Sequence, residues 1–210
     1  MEERTARTVS RRWPLISGVT AVTLAVALGL LIFVREKNLP FGFDTAWMEE
    51  IVEHRNPVWE APSLVMNFLG GGWFAVFVVP LVVVVLLLAF RRYAAALYFT
   101  VAVLLSVGTV QLLKQSLGRP RPLEILVTSD TGAFPSGHVA NAATLAVVLG
   151  VILRRGWVWA AGIAYTVLMM LSRTYLGAHW ASDTIGGALV GAGVAVIVWA
   201  PFALRLERER

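Results

Sequence analysis

The sequence predicts an all-α membrane protein, a polytopic bundle of six transmembrane helices with an amphipathic helix on its outer surface. Hydrophobic residues make up 58% of the 210 positions and charged residues only 15%, and the mean hydropathy is +0.72, which excludes an ordinary water-soluble domain. Six uncharged runs approach or exceed the roughly 20 apolar residues that a helix needs to cross a bilayer. Because these runs lack the alternation of barrel strands, their backbone groups must be satisfied within helices.

In chain order, the runs cover residues 15–34, 61–90, 93–113, 131–153, 156–172 and 184–204. The first run resembles the apolar core of a signal peptide, but no small-residue cleavage site follows it, so we expect it to remain as a span. The second run is divided by Gly70, Gly71 and Gly72. We therefore expect residues 61–69 at the interface and 73–90 in the membrane, with a hinge as the alternative. All 210 residues are expected to form one integral-membrane domain.

The distribution of charge predicts the orientation. Eleven of the 18 basic residues fall in connections on the N-terminal side of the membrane and seven on the other side, which receives nine of the 13 acids. The positive-inside rule then places both tails, 1–14 and 205–210, in the cytoplasm of a multi-pass cell-membrane protein. The net charge of +5 is explained by this topology, so no nucleic-acid partner is expected. The chain has no cysteine, which excludes a thiolate nucleophile or a disulfide framework.

The outer connection at residues 35–60 has an amphipathic pattern. Apolar and acidic side chains fall on opposite faces of a helix over residues 41–55, with Asp44 available as its N-cap. We expect this helix to lie on the outer membrane surface. A simple connector is the favoured interpretation, and a lid or lipid guide is the functional alternative.

Three clusters of polar and ionisable residues lie at the ends of runs, where such residues are costly in a membrane and usually functional. They are KQSLGRPRP at 114–122, PSGH at 135–138, and SRTYLGAHWASD at 172–183. Since connections alternate between the two sides of the membrane, all three clusters are predicted to emerge on the outer side. The sequence thus predicts one outer site built from 114–138 and 172–183.

The clusters contain three cations, two histidines, a carboxylate, and a hydroxyl beside a glycine, namely Lys114, Arg121, Arg173, His138, His179, Asp183, Ser136 and Gly137. The cations, together with Ser136 and the N–H of Gly137 at a helix N-terminus, are suited to phosphate. His179 and Asp183 are four residues apart, so on a helix the carboxylate could orient the imidazole, and His138 remains for proton transfer. Taken singly, the cations would be interpreted as snorkelling anchors. A metal site is disfavoured because three cations share the cluster.

These clusters resemble the signature of the type 2 phosphatidic acid phosphatase superfamily, which includes lipid phosphatases and vanadium haloperoxidases. That signature is a Lys followed after six residues by Arg-Pro, then Pro-Ser-Gly-His, then Ser-Arg followed after five residues by His and after three more by Asp. The sequence matches all of its positions, which are Lys114, Arg121, Pro122, Pro135, Ser136, Gly137, His138, Ser172, Arg173, His179 and Asp183. Arg119 lies outside the signature and is interpreted as a supporting or loop cation.

The resemblance implies a metal-independent phosphomonoesterase without a cofactor. In it, His179 would attack phosphorus to form a phosphohistidine, and Asp183 would hold the other ring nitrogen. His138 would protonate the leaving oxygen and then activate water. The phosphate would be bound by the remaining polar residues of the signature, Lys114, Arg121, Arg173, Ser136 and Gly137.

The substrate that this resemblance favours is a lipid phosphate or pyrophosphate in the outer leaflet, with undecaprenyl pyrophosphate as the leading candidate. Phosphatidylglycerophosphate and phosphatidic acid are alternatives, as is transfer of the phosphoryl group to an alcohol. A non-catalytic binder or transporter of anionic lipids is an alternative of another class. Gly187 and Gly191 form a GxxxG pattern that we expect to pack helices within one protomer rather than to make a dimer.

Overall fold

A computed structural model describes residues 12–35, 39–129 and 132–209. Residues 1–11 of the predicted N-terminal tail and residue 210 of the C-terminal tail lie outside the described residues. Helices account for nearly all the regular structure of the described residues, which confirms the expected all-α fold. The helices are α1 (Arg12–Val34), α2 (Gly42–Glu53), α3 (Pro57–Gly70), a π-helical segment (Phe74–Val78), α4 (Val79–Ala89), α5 (Tyr93–Leu117), α6 (Gly137–Leu153), α7 (Gly156–Tyr175) and α8 (Ala181–Arg208).

Three of the described helices, α1, α5 and α8, are long and apolar enough to cross a membrane. A fourth candidate span consists of α3 together with residues 74–89, which are bent by 43° relative to each other. The bend falls at the predicted glycine break, where Gly72 has a φ of +60° that L side chains rarely adopt. The apolar helix α6 has 17 residues, fewer than a span usually needs.

The boundaries of α6 and α2 differ from the sequence-based expectation. The run at 131–153 becomes helical only at Gly137, because the backbone N–H groups of Ala133 and Ser136 donate to Arg119 and Asp183 in other segments. The expectation that Asp44 is an N-cap was wrong. Phe41 occupies that position and Asp44 is the third residue of α2, where its carboxylate accepts the Phe41 N–H at 3.1 Å.

Helix α8 packs against α1, α5 and α6 at the centre of the bundle. Its contact with α6 depends on small residues, since a Cβ atom at Gly191 would lie 2.1 Å from the Ala140 carbonyl oxygen and one at Gly187 would lie 2.4 Å from that of Ser136. The GxxxG pattern therefore packs helices within the protomer, as expected.

The polypeptide reverses direction between α5, α6, α7 and α8, so that the ends of these helices meet at the two ends of this core. At one end, the Glu209 carboxylate accepts the N–H groups of Ala94 and Ala95 at the start of α5. At the opposite end lie the C-termini of α5 and α7 and the N-termini of α6 and α8, which carry the three polar clusters. The fold thus brings the clusters together, as their positions in the sequence predicted.

Candidate active site

A cavity of about 520 Å³ lies between α5 and α6 on one side and the bent segment from α3 to α4 on the other. Its polar end is lined by Lys114, Arg121, Gly137, His138, Arg173 and His179, all of which the sequence identified. Its other end is apolar and includes Val76, Phe77, Val103, Leu104 and Val107. The cavity can therefore accommodate an anion and an apolar chain together.

Three cations converge on the polar end from three different segments. Lys114 Nζ in the last turn of α5 and Arg121 Nη2 in the following loop both donate to the Gly132 carbonyl oxygen, at 2.9 and 3.1 Å. Arg173 near the end of α7 is 1% exposed and donates to the side-chain oxygen of Asn67. Three positive charges around one concave wall favour a multiply charged anion such as phosphate.

His179 lies in the short connection between α7 and α8 and is 2% exposed. Its Nδ1 is 2.7 Å from the Ala133 carbonyl oxygen. Because a carbonyl only accepts hydrogen bonds, Nδ1 carries the proton and Nε2 carries the lone pair. Nε2 therefore accepts a hydrogen bond from Arg121 Nη1 at 3.3 Å, and His179 is among the residues that line the cavity.

The surroundings of His179 keep its ring neutral. Burial lowers the pKa of His179 well below its usual value of 6.5, and the positive charges of Arg173, Arg121 and Lys114 lower it further. The hydrogen bond to Ala133 opposes this effect without overcoming it. At neutral pH Nε2 is therefore unprotonated.

Asp183 is not the direct hydrogen-bond partner of His179, contrary to the sequence-based expectation. Its Oδ2 lies 3.7 Å from Nδ1 of His179, beyond hydrogen-bond distance, and accepts the Trp180 N–H at 2.8 Å. Its Oδ1 accepts from Arg119. The ring is therefore oriented by the Ala133 backbone, and Asp183 lies beside it without a hydrogen bond to it. A backbone acceptor has no signature in the sequence.

His138, in the first turn of α6, contacts the end of α3. Its Nε2 lies 3.2 Å from the Asn67 carbonyl oxygen, so this nitrogen carries a proton and Nδ1 carries the lone pair. A Cβ atom added at Gly71 would lie 2.1 Å from His138 Nε2, so only glycine permits this approach of the backbone. Asn67 thus orients both His138 and Arg173. Sequence reasoning missed it, although it is a lone amide within an uncharged run.

Ser136 and Gly137 form the N-terminus of α6 beside the cavity. Ser136 is 0% exposed, and among the described residues its hydroxyl oxygen has no hydrogen-bond partner. A buried hydroxyl of this kind is costly unless a ligand satisfies it. The helix N-terminus, where the dipole is positive, makes an oxyanion the favoured ligand.

Arg119, interpreted from sequence as a supporting or loop cation, is 1% exposed and supports the site. It donates to Asp183 through Nη1 and to Asp44 of α2 through Nη2, the latter at 2.8 Å. Sequence reasoning assigned Asp44 no part in the site because its partner lies 75 residues away in the chain. Within the described ranges, the one cluster with metal-ligand spacing is Glu50, Glu53 and His54, exposed at the C-terminal end of α2 outside the cavity.

Curated relatives of the chain are membrane lipid phosphatases. It is 33% identical over 125 residues to an undecaprenyl-diphosphatase of Sulfolobus acidocaldarius, covering 55% of this chain and 59% of that protein. It is also 33% identical over 91 residues to phosphatidylglycerophosphatase B of Bacillus subtilis, covering 39% and 45%. The alignments thus span about half the length of these relatives.

Solved structures share the fold. The crystal structure of a transmembrane PAP2-type phosphatidylglycerolphosphate phosphatase from Bacillus subtilis superposes with a TM-score of 0.79 at 22% identity, covering 92% of this chain and 99% of that one. LpxE of Aquifex aeolicus superposes with a TM-score of 0.66 at 27% identity, covering 76% and 96%. The sequence profile of the PAP2 superfamily matches residues 95–206, more than half of the chain and all three clusters. The chain belongs to the PAP2 superfamily.

Proposed function

We propose that this protein is a membrane lipid phosphatase that hydrolyses a lipid phosphate or pyrophosphate through a phosphohistidine on His179. One observation carries the proposal: three cations from distant segments surround the lone pair of His179 at the polar end of a cavity whose other end is apolar. A lipid phosphate has the same division between an anionic group and an apolar chain.

In the first step, Nε2 of His179 forms a bond to phosphorus as the bond from phosphorus to the leaving oxygen breaks. Lys114, Arg121 and Arg173, with Ser136 and the Gly137 N–H, hold the phosphoryl oxygens. His138, which takes up a proton on Nδ1 as the anionic substrate binds, gives that proton to the leaving oxygen and returns to its neutral form. The product is the lipid alcohol, or the lipid monophosphate when the substrate is a pyrophosphate.

In the second step, water replaces the lipid. His138 takes a proton from that water as its oxygen bonds to phosphorus, and the bond from phosphorus to Nε2 breaks to release inorganic phosphate. Asp183 stabilises the positive charge that the His179 ring carries in the intermediate. No step requires a metal ion or a cofactor, since the cations of the chain neutralise the phosphate.

The proposed arrangement in the membrane has six crossings, with both termini in the cytoplasm and the site on the outer side. Support comes from the excess of basic residues at the end of the bundle opposite the site, which includes Arg91, Arg92, Arg154, Arg155, Arg205 and Arg208. Helix α2 then lies at the outer surface, consistent with its exposed Trp47 and Val52.

The leading candidate substrate is undecaprenyl pyrophosphate, and phosphatidylglycerophosphate and phosphatidic acid are alternatives. The names of the relatives support a lipid with a terminal phosphate or pyrophosphate, and the undecaprenyl-diphosphatase of S. acidocaldarius supports the first candidate. An outward-facing site would meet such a substrate in the outer leaflet.

The experiment is release of inorganic phosphate by purified protein in detergent with EDTA, across these three lipids. We expect turnover of at least one of them, abolished in His179→Ala and retained in His54→Ala, which removes an exposed histidine outside the site. Activity that survives His179→Ala would remove the proposed nucleophile. Activity that EDTA abolishes and a divalent metal restores would remove the mechanism.

A further inference from the structure

A buried ionic network connects α2 to the start of α8. Asp44, Arg119 and Asp183 are each at most 1% exposed, and the Arg119 guanidinium lies between the two carboxylates. Asp44 also reaches α8 directly, accepting the Ser182 N–H at 2.9 Å and the Ser182 hydroxyl at 2.7 Å. Arg119 Nη1 donates to that hydroxyl oxygen at 2.8 Å.

We propose that Asp44 and Arg119 are positioning residues for the His179 nucleophile, which makes α2 part of the catalytic unit. This inference rests on the proposed function. Asp44 lies outside residues 95–206, the part of the chain that matches the family profile. The role is therefore one that the signature does not assign.

The network fixes the segment that carries His179. The N–H of Ser182 is one of the groups that an α-helix leaves unsatisfied at its N-terminus, and Asp44 supplies the missing acceptor from a different helix. The next residue, Asp183, accepts the N–H of Trp180, and its own carbonyl accepts the Ser136 N–H at 2.9 Å. His179 directly precedes this turn, so its position depends on the same contacts.

The network also places charge behind the nucleophile. One guanidinium between two carboxylates leaves an excess negative charge on the side of His179 opposite the three cations of the cavity. That charge favours the cationic ring of a phosphohistidine, in which phosphorus is on Nε2 and the proton stays on Nδ1. The planar guanidinium of Arg119 donates to both carboxylates at once through two nitrogens. Lysine has a single ammonium group and lacks this geometry.

The test compares Asp44→Asn with Glu49→Gln, which removes the same charge from an exposed position on the same helix. The readouts are kcat and KM of the purified protein, and the affinities for vanadate and inorganic phosphate, measured by calorimetry. On the proposed function, vanadate should bond to Nε2 of His179, whereas inorganic phosphate should be held by the cations alone. For Asp44→Asn we expect kcat and vanadate affinity to fall about tenfold or more, with phosphate affinity and KM within about twofold of wild type. Glu49→Gln should change none of these quantities.

A second variant covers the case in which Asp44→Asn does not fold. Ser182→Ala keeps every charge and removes only the bridging hydroxyl, and we expect a smaller loss in the same two quantities. The proposal is wrong if a folded variant keeps wild-type kcat and vanadate affinity, or loses phosphate and vanadate affinity equally. Failure of both variants to fold would assign the network a structural role and overturn the proposal as well. Because the two affinities are measured without turnover, absence of lipid hydrolysis by wild type would count against the proposed function alone.

Discussion

Two kinds of neighbour act on His179 in different ways. The Ala133 carbonyl oxygen fixes the tautomer at 2.7 Å, and the three cations across the cavity disfavour a proton on Nε2. Both effects keep the lone pair available before substrate binds. In the proposed mechanism, the positive charge appears on the ring only when phosphorus bonds to Nε2, and at that stage Asp183 stabilises it.

The protonation of His179 can be tested in the free protein. Because its pKa is lowered well below 6.5, the ring should stay neutral, with the proton on Nδ1, as the pH falls from 8 through 6.5. Nitrogen NMR of labelled imidazole, with the signal assigned through His179→Ala, checks this. A His179 signal that titrates near pH 6.5 would contradict the account of its surroundings.

Asn67 is expected to matter although it lies outside the signature. Asn67→Ala removes the side-chain acceptor that orients the Arg173 guanidinium, and hydrogen bonds to charged groups typically contribute about 1.5–3 kcal/mol. We therefore expect kcat/KM for the lipid substrate to fall roughly tenfold to hundredfold. Gln115→Ala, which removes an exposed amide of α5 outside the cavity, should retain wild-type kcat/KM. Equal values for the two variants would show that Asn67 does not position Arg173.

At the scale of single residues, the sequence identified side chains whose chemistry is unusual for a span end, such as Lys114 and His179. It could not identify Asn67 or Asp44, because the role of an amide or an acid depends on which partner the fold brings into contact with it. The Ala133 carbonyl is still harder to foresee, since every residue has such a group.

At the scale of elements, the contact between α6 and α8 holds two parts of the site together. Helix α6 begins with Ser136 and Gly137, α8 begins just after His179, and their backbones approach closely at Gly187 and Gly191. Side chains at these glycines would separate the turn at Ser136 and Gly137 from His179.

Gly191→Ala tests this contact. The added methyl group would overlap the Ala140 carbonyl oxygen, so we expect a loss of about 1–3 kcal/mol in the free energy of unfolding, seen as a lower thermal midpoint in detergent. Gly108→Ala is the matched control, because nothing lies within 4 Å of a Cβ atom there and alanine favours a helix by about 1 kcal/mol. A midpoint for Gly191→Ala as high as that of Gly108→Ala would exclude close packing at this position.

Element positions were predicted better than element ends. The break at Gly70, Gly71 and Gly72 was expected from backbone freedom and occurs there. The start of α6 was misplaced because the backbone N–H groups just before it donate to distant segments. The N-cap of α2 was misplaced because Asp44 accepts the Phe41 N–H from the third helical position.

At the scale of the whole molecule, the proposed topology sets the two ends of the bundle in different compartments. The chain has no cysteine, so single cysteines report on each end without background. Thr128 is exposed and lines the cavity, and Gly156 at the start of α7 is exposed with nothing within 4 Å of an added Cβ atom. The two variants are Thr128→Cys and Gly156→Cys. In intact cells, a membrane-impermeant maleimide should label the first and not the second. The reverse pattern would invert the topology and place the site in the cytoplasm.

The central claim is that segments distant in the sequence form one site for a tetrahedral oxyanion, with His179 as the nucleophile. The most direct test is a crystal or cryo-electron microscopy structure with vanadate bound. The account predicts vanadium bonded to Nε2 of His179, with its oxygens within hydrogen-bond distance of Lys114, Arg121 and Arg173. Vanadate bound away from His179, or held by fewer than two of these cations, would contradict it.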